Sequence, residues 1–373
     1  MTGNTTENVT DVLAGETTRE LRAGRTTGTC ATAAAMAALR CLLTGERRAA
    51  MSAPLPAGGV LTVPVARIER EGAAVRATVL KDGGDDPDAT HGCEIQALVA
   101  LEPGDGPLAV AVDGGRGVGR ATLPGLPVPV GAAAINPDPL RQIEAGVRMA
   151  ASGLGSGRVR VLVEVPEGEA IAKKTMNPRL GILGGISILG TQGIVRPYSH
   201  DAWTATIEEG MDVALALGLD HVVLTTGRRS ERLFLDAHPG TPPQALVQAA
   251  DFFAFSLRAA ARRGFARVTW SLFFGKLAKQ AQGMEYTHAK SDPVDFARLA
   301  DWCAEAGCDP RRVEATRGAN TARQVLDLLA DDPARPALVR LLVERARESA
   351  NAFGGPALAV GYAVFDFDGA RLG

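Results

Sequence analysis

Apolar and polar residues alternate from Leu61 to Leu80. The alternation predicts strands over Leu61–Ile68 and Ala74–Leu80, folded about the Glu69–Gly72 turn as a hairpin. Glu94–Leu101, Leu108–Val112 and Arg158–Val165 predict three more strands. Two helical stretches interrupt them. One is alanine-rich and runs to about Leu43, with Thr26, Thr27 or Thr29 as its cap; the other is Pro139–Ala151. Past the middle of the chain the rhythm changes. Helices over Ala202–Leu217, Gln244–Arg263, Val294–Ala306, Thr321–Ala330 and Ala337–Ala352 alternate with short strands Asp220–Thr225, Arg267–Phe274 and Leu358–Phe365. That alternation predicts three layers built on a mostly parallel sheet. The fold class is therefore α/β: a disordered tail over 1–18, an α+β domain over 19–195, and a Rossmann-like three-layer α/β domain over 196–373.

Composition narrows the function classes. A chain of 373 residues is long for one core and suggests two domains. A net charge of −2 argues against a nucleic-acid partner. No apolar run reaches spanning length, so no membrane segment is expected. The five cysteines (Cys30, Cys41, Cys93, Cys303, Cys308) are scattered and form no CxxC, which argues against a zinc site or a disulfide framework. The N-terminal stretch is polar and acidic, with no signal-peptide core, and its Asn-x-Thr matches at Asn4 and Asn8 read as chance. The expected location is the cytoplasm. A homo-oligomer is left open.

The most unusual stretch is Gly168–Pro197. Gly181, Gly184, Gly185, Gly190 and Gly193 crowd an apolar run flanked by Lys173, Lys174, Arg179 and Arg196. Glycine at this density reads as shaped backbone, and the basic flanks suit an anionic ligand. A glycine-rich connection without a ligand fits the same residues. Thr26, Thr27, Thr29 and Cys30 lie at a helix N-terminus, a place for an anion or for a plain cap. Asp82, Asp85, Asp86 and Asp88, closing on His91, lack the EF-hand spacing. They read as a solvated turn or as acceptors toward a ligand. Gly115–Gly119 mimics a dinucleotide fingerprint but opens a proline-rich run and no helix, which excludes that reading. Arg116 and Arg120 there suit carboxylates. The strand-end loops Thr225–Arg229 and Gly275–Lys279, with Gly227, Gly275 and Lys276, are candidate cofactor contacts. His200, His221 and His238 have no ligand-like spacing.

The words LRAGRTTGTC (21–30), KDGGDDPDATHG (81–92), GRGVGRATLPGLPVPVG with AAAINPDP (115–139) and NPRLGILGGISILGTQGIVRP (177–197) resemble, in order, those of the cobalt-precorrin-5B C1-methyltransferase family of anaerobic cobalamin biosynthesis. The likeness thins in the second half to FGKLAKQAQGMEYTHAK (274–290), with Thr287, His288 and Lys290 matching a Thr-His-x-Lys word. This chain departs from the family pattern at His91, where Asn is usual, and at TTGRRSE and SLFFGK, where Pro-Gly-Asn and Gly-His are usual. The resemblance implies methyl transfer from S-adenosylmethionine to a cobalt-containing corrin precursor, with two α/β-type domains and the substrate between them. It implies substrate contacts from Thr26, Thr27, Thr29, Arg116, Arg120, Lys174 and Arg179. Cofactor contacts would come from Gly184, Gly185, Gly190, Thr191, Gly227, Gly275 and Lys276. Asp86, Asp88 or His288 would serve as base, and cobalt would arrive with the substrate, with no metal site in the protein. A tetrapyrrole carrier, or a methyltransferase acting on a related precorrin, are the alternatives.

Overall fold

The structure, a computed structural model, describes residues 21–289 and 293–372. The expected tail over 1–18 and Lys290 lie outside these. The chain divides into two compact units, one over Leu21–His200 and a second that starts at Asp201.

The first unit opens with strand β1 (Gly24–Arg25) and helix α1 (Thr27–Thr44). Strands β2 (Ala50–Pro54) and β3 (Val60–Pro64) pair with each other, and β4 (Arg67–Glu71) pairs with β5 (Ala74–Leu80). The single strand expected over Leu61–Ile68 is thus two. Val65 and Ala66 lie between them, and β3 leaves to pair with β2, a strand that the alternation did not mark. Next come β6 (Glu94–Pro107), β7 (Ala109–Gly114), β8 (Gly117–Val118), β9 (Arg120–Ala121), helix α2 (Pro137–Ala150) and β10 (Ser156–Glu164). Helix α3 (Gly168–Ala172) and the short strands β11 (Ile182–Leu183), β12 (Gly185–Ile186) and β13 (Ile194–Val195) complete it.

The main sheet of this unit has the order β4-β5-β6-β10-β7, antiparallel except for β10 with β7. Helices α1 and α2 pack on one of its faces. Alternation along the strands sends Val75, Ala77 and Val79, and Val159, Val161 and Val163, into the core beneath them. Helix α1 is buried on nearly every side, which its alanines allow because small side chains let neighbouring backbone come close. No helix follows Gly115–Gly119; β8 lies within it and β9 follows, in agreement with the exclusion of a dinucleotide fingerprint.

Helix α4 (His200–Ala216) leads into the second unit, followed by β14 (His221–Thr225), α5 (Arg228–Ala237) and β15 (Leu246–Gln248). It continues through α6 (Phe253–Arg262), β16 (Arg267–Phe273), α7 (Phe274–Ala281), α8 (Phe296–Glu305), α9 (Pro310–Arg317), α10 (Ala322–Leu328), α11 (Arg335–Gly354) and β17 (Ala359–Phe365). All four strands are parallel, in the order β15-β14-β16-β17. Val222 and Leu224 face the large helical core, whereas Val223 faces α5 and Phe234, so the sheet has helices on both faces. The α/β class is as expected, with two corrections. The helix expected over Gln244–Arg263 is a turn of 3-10 helix, strand β15 and then α6. Leu246-Val247-Gln248 is short, apolar and paired with β14, and sheet pairing overrides the helical pattern there. The expected loop Gly275–Lys279 is the body of helix α7.

Candidate functional site

The four sequence words of the first half converge in space. Strand β1 pairs with β13, β8 with β12 in parallel, β9 with β11, and an isolated bridge joins Ile135 to Ile188. Helix α1 starts at their meeting point. Thr26 is its N-cap, and the Thr26 hydroxyl accepts from the Thr29 amide at 3.2 Å. The Thr29 hydroxyl donates to the Gly193 carbonyl at 2.7 Å and accepts from Gln142 at 3.0 Å. The Thr27 hydroxyl accepts from the Leu189 amide at 2.8 Å, and the Gly28 amide donates to the Leu189 carbonyl at 3.2 Å. Thr26, Thr27 and Thr29 are all buried. Their hydroxyls staple the glycine segment to the helix and point at protein atoms. At Cys30, beside them, burial pushes the thiol up to about 12, so the helix end does not make a nucleophile of it.

The acidic loop is a clamp on the same region. Asp82 pairs with Arg22 and Arg25, and these guanidiniums, with the Gly84 amide, hold its carboxyl below the ordinary range. Asp85 accepts from the Arg22 amide at 2.8 Å. Asp86 accepts from the Tyr198 amide at 3.0 Å. Asp88 is paired with the buried Lys81 and bonded to Thr90. Burial raises the Asp88 pKa, but Lys81 and Thr90 outweigh it and the net direction is down. A proton-accepting role at neutral pH is harder for a carboxylate so held. His91 Nδ1 accepts from the Gly83 amide at 3.1 Å, a bond that the side-chain oxygen of Asn could equally accept. That accounts for the departure at this position.

The remaining positions differ in what they face. Arg116 is exposed, and its amide donates to Glu164 at 3.3 Å. Arg120 is occupied by Asp113 and by the Gly114 and Gly131 carbonyls. Lys174 and Thr191 are exposed and Arg179 is half-buried. A Cβ on Gly185 would lie 2.1 Å from the Gly117 carbonyl oxygen, and one on Gly190 would lie 2.4 Å from Thr26 Cγ2. These two glycines exist for packing. Gly184, at φ +81°, has open space on its Cβ side.

In the second unit, β14 and β16 are neighbours whose following connections run to opposite sides, which makes the gap between their carboxyl ends a switch point of the sheet. Gly227, at the end of β14, caps α5 with open space around it; Gly275 and Lys276 lie in the first turn of α7. Lys276 pairs with Asp251 and donates to the Thr287 carbonyl at 2.7 Å. Lys279, buried, donates to the His288 carbonyl at 2.8 Å, and the His288 ring stacks on Tyr286. The two lysines thus latch the 286–288 segment to α7. The departures in TTGRRSE and SLFFGK touch each other. The Arg229 guanidinium lies 5.3 Å from the Phe273 ring centroid, and Phe273 stacks on Phe367.

Gln142 and Asp251 are not legible as partners in the sequence, because Thr29 and Lys276, which they meet, lie 113 and 25 residues away; Lys81 and Lys279 meet partners seven to nine residues on. The signal for Lys279 was its place one helical turn after Lys276 on an otherwise apolar face. Among the described residues, no group of three or more His, Cys, Asp or Glu side chains is placed to hold a metal ion. No helix among them is long and apolar enough to cross a membrane.

By its geometry the second unit is of the doubly wound α/β class, and the first is a mixed sheet closed by a glycine-rich segment. The family model described as CbiD matches residues 14–197, and that described as CbiD, C-terminal domain, matches residues 286–373. The chain belongs to the CbiD family. It is 52% identical over 360 residues to the cobalt-precorrin-5B C(1)-methyltransferase of Nitratidesulfovibrio vulgaris, covering 94% of this chain and 92% of that protein. It is 46% identical to the protein of that name in Geobacillus kaustophilus, covering 96% and 95%. A solved structure titled cobalamin biosynthesis protein (cbiD) from Archaeoglobus fulgidus is 29% identical over 70% of this chain and 80% of that one, with a TM-score of 0.37.

Proposed function

We propose that this chain transfers a methyl group from S-adenosylmethionine to C1 of cobalt-precorrin-5B, giving cobalt-precorrin-6A. The observation that carries the proposal is the 52% identity with a relative of that name over nearly the full length of both chains. The donor, when bound, supplies an electrophilic methyl on sulfur, and the sulfur keeps the bonding pair as a neutral thioether. No covalent enzyme intermediate is required, so alignment of the two reactants is the protein's main contribution. Gly227, open at the N-terminus of α5 and at the switch point, suits the donor's carboxylate end. Gly275 and Lys276 flank the same gap. Arg116 and Lys174, both exposed, suit the carboxylate arms of the macrocycle. His288, held through its carbonyl by Lys279, is the second unit's candidate for proton transfer. Cobalt enters with the substrate.

A macrocycle-binding protein without transfer is the second reading. In its favour, Arg229, Phe273 and Phe367 stack at the carboxyl ends of the strands, where a donor would lie. An anaerobic incubation with cobalt-precorrin-5B and methyl-labelled donor separates the two. One labelled methyl at C1, read by mass spectrometry and NMR, is expected. Tight macrocycle binding with no label would establish the second reading instead. In the same assay Arg116→Ala is expected to raise the macrocycle KM about tenfold, with little change for the donor. Equal losses for both ligands would sink that assignment.

A further inference from the structure

Among the described residues, Tyr198 and Ala250 are the only non-glycines with positive φ, and Tyr198 (φ 56°) is 65% exposed. A residue with a Cβ enters the left-handed region at a cost and remains there only where its surroundings impose it. Two features impose it here. The Tyr198 amide donates to Asp86 Oδ1 at 3.0 Å, and the chain just before it is fixed by the pairing of β13 with β1. The loop that carries Asp86 is itself held, through Asp82 to Arg22 and through Asp88 to Lys81. A clamped backbone thus presents an exposed aromatic ring, with the exposed Arg196 two residues before it. The ring offers a flat apolar face, and the guanidinium a fork for a carboxylate. A macrocycle with a broad unsaturated face and carboxylate arms matches both.

We propose that Asp86 is a positioning residue whose carboxylate holds Tyr198 in its left-handed conformation, so that the Tyr198 ring packs on the macrocycle face and Arg196 meets one of its carboxylates. This rests on the reading of the substrate given under Proposed function. It replaces a proton-transfer role for Asp86 with an acceptor role, and an acceptor need not titrate. The side-chain oxygen of asparagine can accept the same N–H bond but is no base.

The test uses the full chain and measures macrocycle binding without donor by anaerobic absorbance titration, then KM, kcat and the pH profile with donor. Tyr198→Ala is expected to weaken macrocycle binding about tenfold, with the donor KM within about twofold of wild type. Asp86→Ala should copy that loss, and the double variant should be no worse than Tyr198→Ala alone. Asp86→Asn should recover most of the lost affinity and leave the pH profile of kcat in place. Loss of turnover in Asp86→Asn, with one limb of the pH profile gone, would make Asp86 a base and overturn the proposal. Wild-type binding by Tyr198→Ala would overturn it too. If wild type binds the macrocycle but transfers no methyl, and these binding losses persist, the methyl-transfer reading fails while this one stands.

Discussion

Replacing Lys81 with methionine is expected to destabilise the first unit by about 3 kcal/mol, the scale seen when one partner of a buried ion pair is removed. The Lys81 side chain is 2% exposed and its ammonium sits on Asp88. Methionine fills much of the same space but leaves the half-buried carboxylate with only Thr90 as partner. All five cysteines are buried and free, so pulsed thiol labelling reports each unit separately. Labelling of Cys30 and Cys93 should quicken about a hundredfold, and that of Cys303 and Cys308 should not change. The pH dependence has a definite sign. Asp88 has its pKa lowered in the folded chain, so the pair's contribution is complete above the unfolded carboxyl pKa and fades as pH falls through the folded value. Wild type and variant should therefore converge below about pH 4. A second change, Asp88→Leu, should restore much of the loss. Unchanged labelling in Lys81→Met would show that the pair contributes nothing.

Gly185→Ala should be nearly as damaging, and its neighbour Gly184→Ala mild. The new methyl at 185 would meet Gly117 backbone atoms at 2.1 and 2.2 Å, and backbone cannot rotate away. The pairing of β12 with β8 would have to open, at about 3 kcal/mol. At 184 the methyl meets nothing within 4 Å, and only the left-handed φ opposes it, at about 1 kcal/mol. Thermal unfolding monitored at Cys30 distinguishes the two. Equal stability losses at both positions would refute the division into a packing glycine and an open one.

The parts of this molecule legible in its sequence are those set by local pattern. The parallel strands β14, β16 and β17 stand close to where short apolar runs placed them, as do helices α1, α2 and α11. The failures have a common cause. Leu246–Gln248 is a strand only because β14 lies beside it, and Gly275–Lys279 reads as a basic loop until the apolar face of α7 is seen against α11. The candidate site was legible as words and not as contacts. Thr26, Thr27 and Thr29 stood out as a hydroxyl cluster at a helix start, yet their partners in the 187–193 segment are far along the chain. The acidic loop likewise reads as a solvated turn or as acceptors toward a ligand, because nothing local signals that Arg22 and Tyr198 claim Asp82, Asp85 and Asp86.

The staple at the start of α1 also has a meaning in time. Thr29 and the Gly193 carbonyl it binds are 164 residues apart. A ribosome adding about 5–20 residues per second needs roughly 10–30 seconds to travel that far. Through that interval the alanine-rich helix has been made but the segment it is stapled to does not yet exist. Its broad apolar surface is then open to other nascent chains. Production of this protein should respond to translation speed and to chaperones that shelter the first 195 residues, more than the stability of the finished fold would suggest.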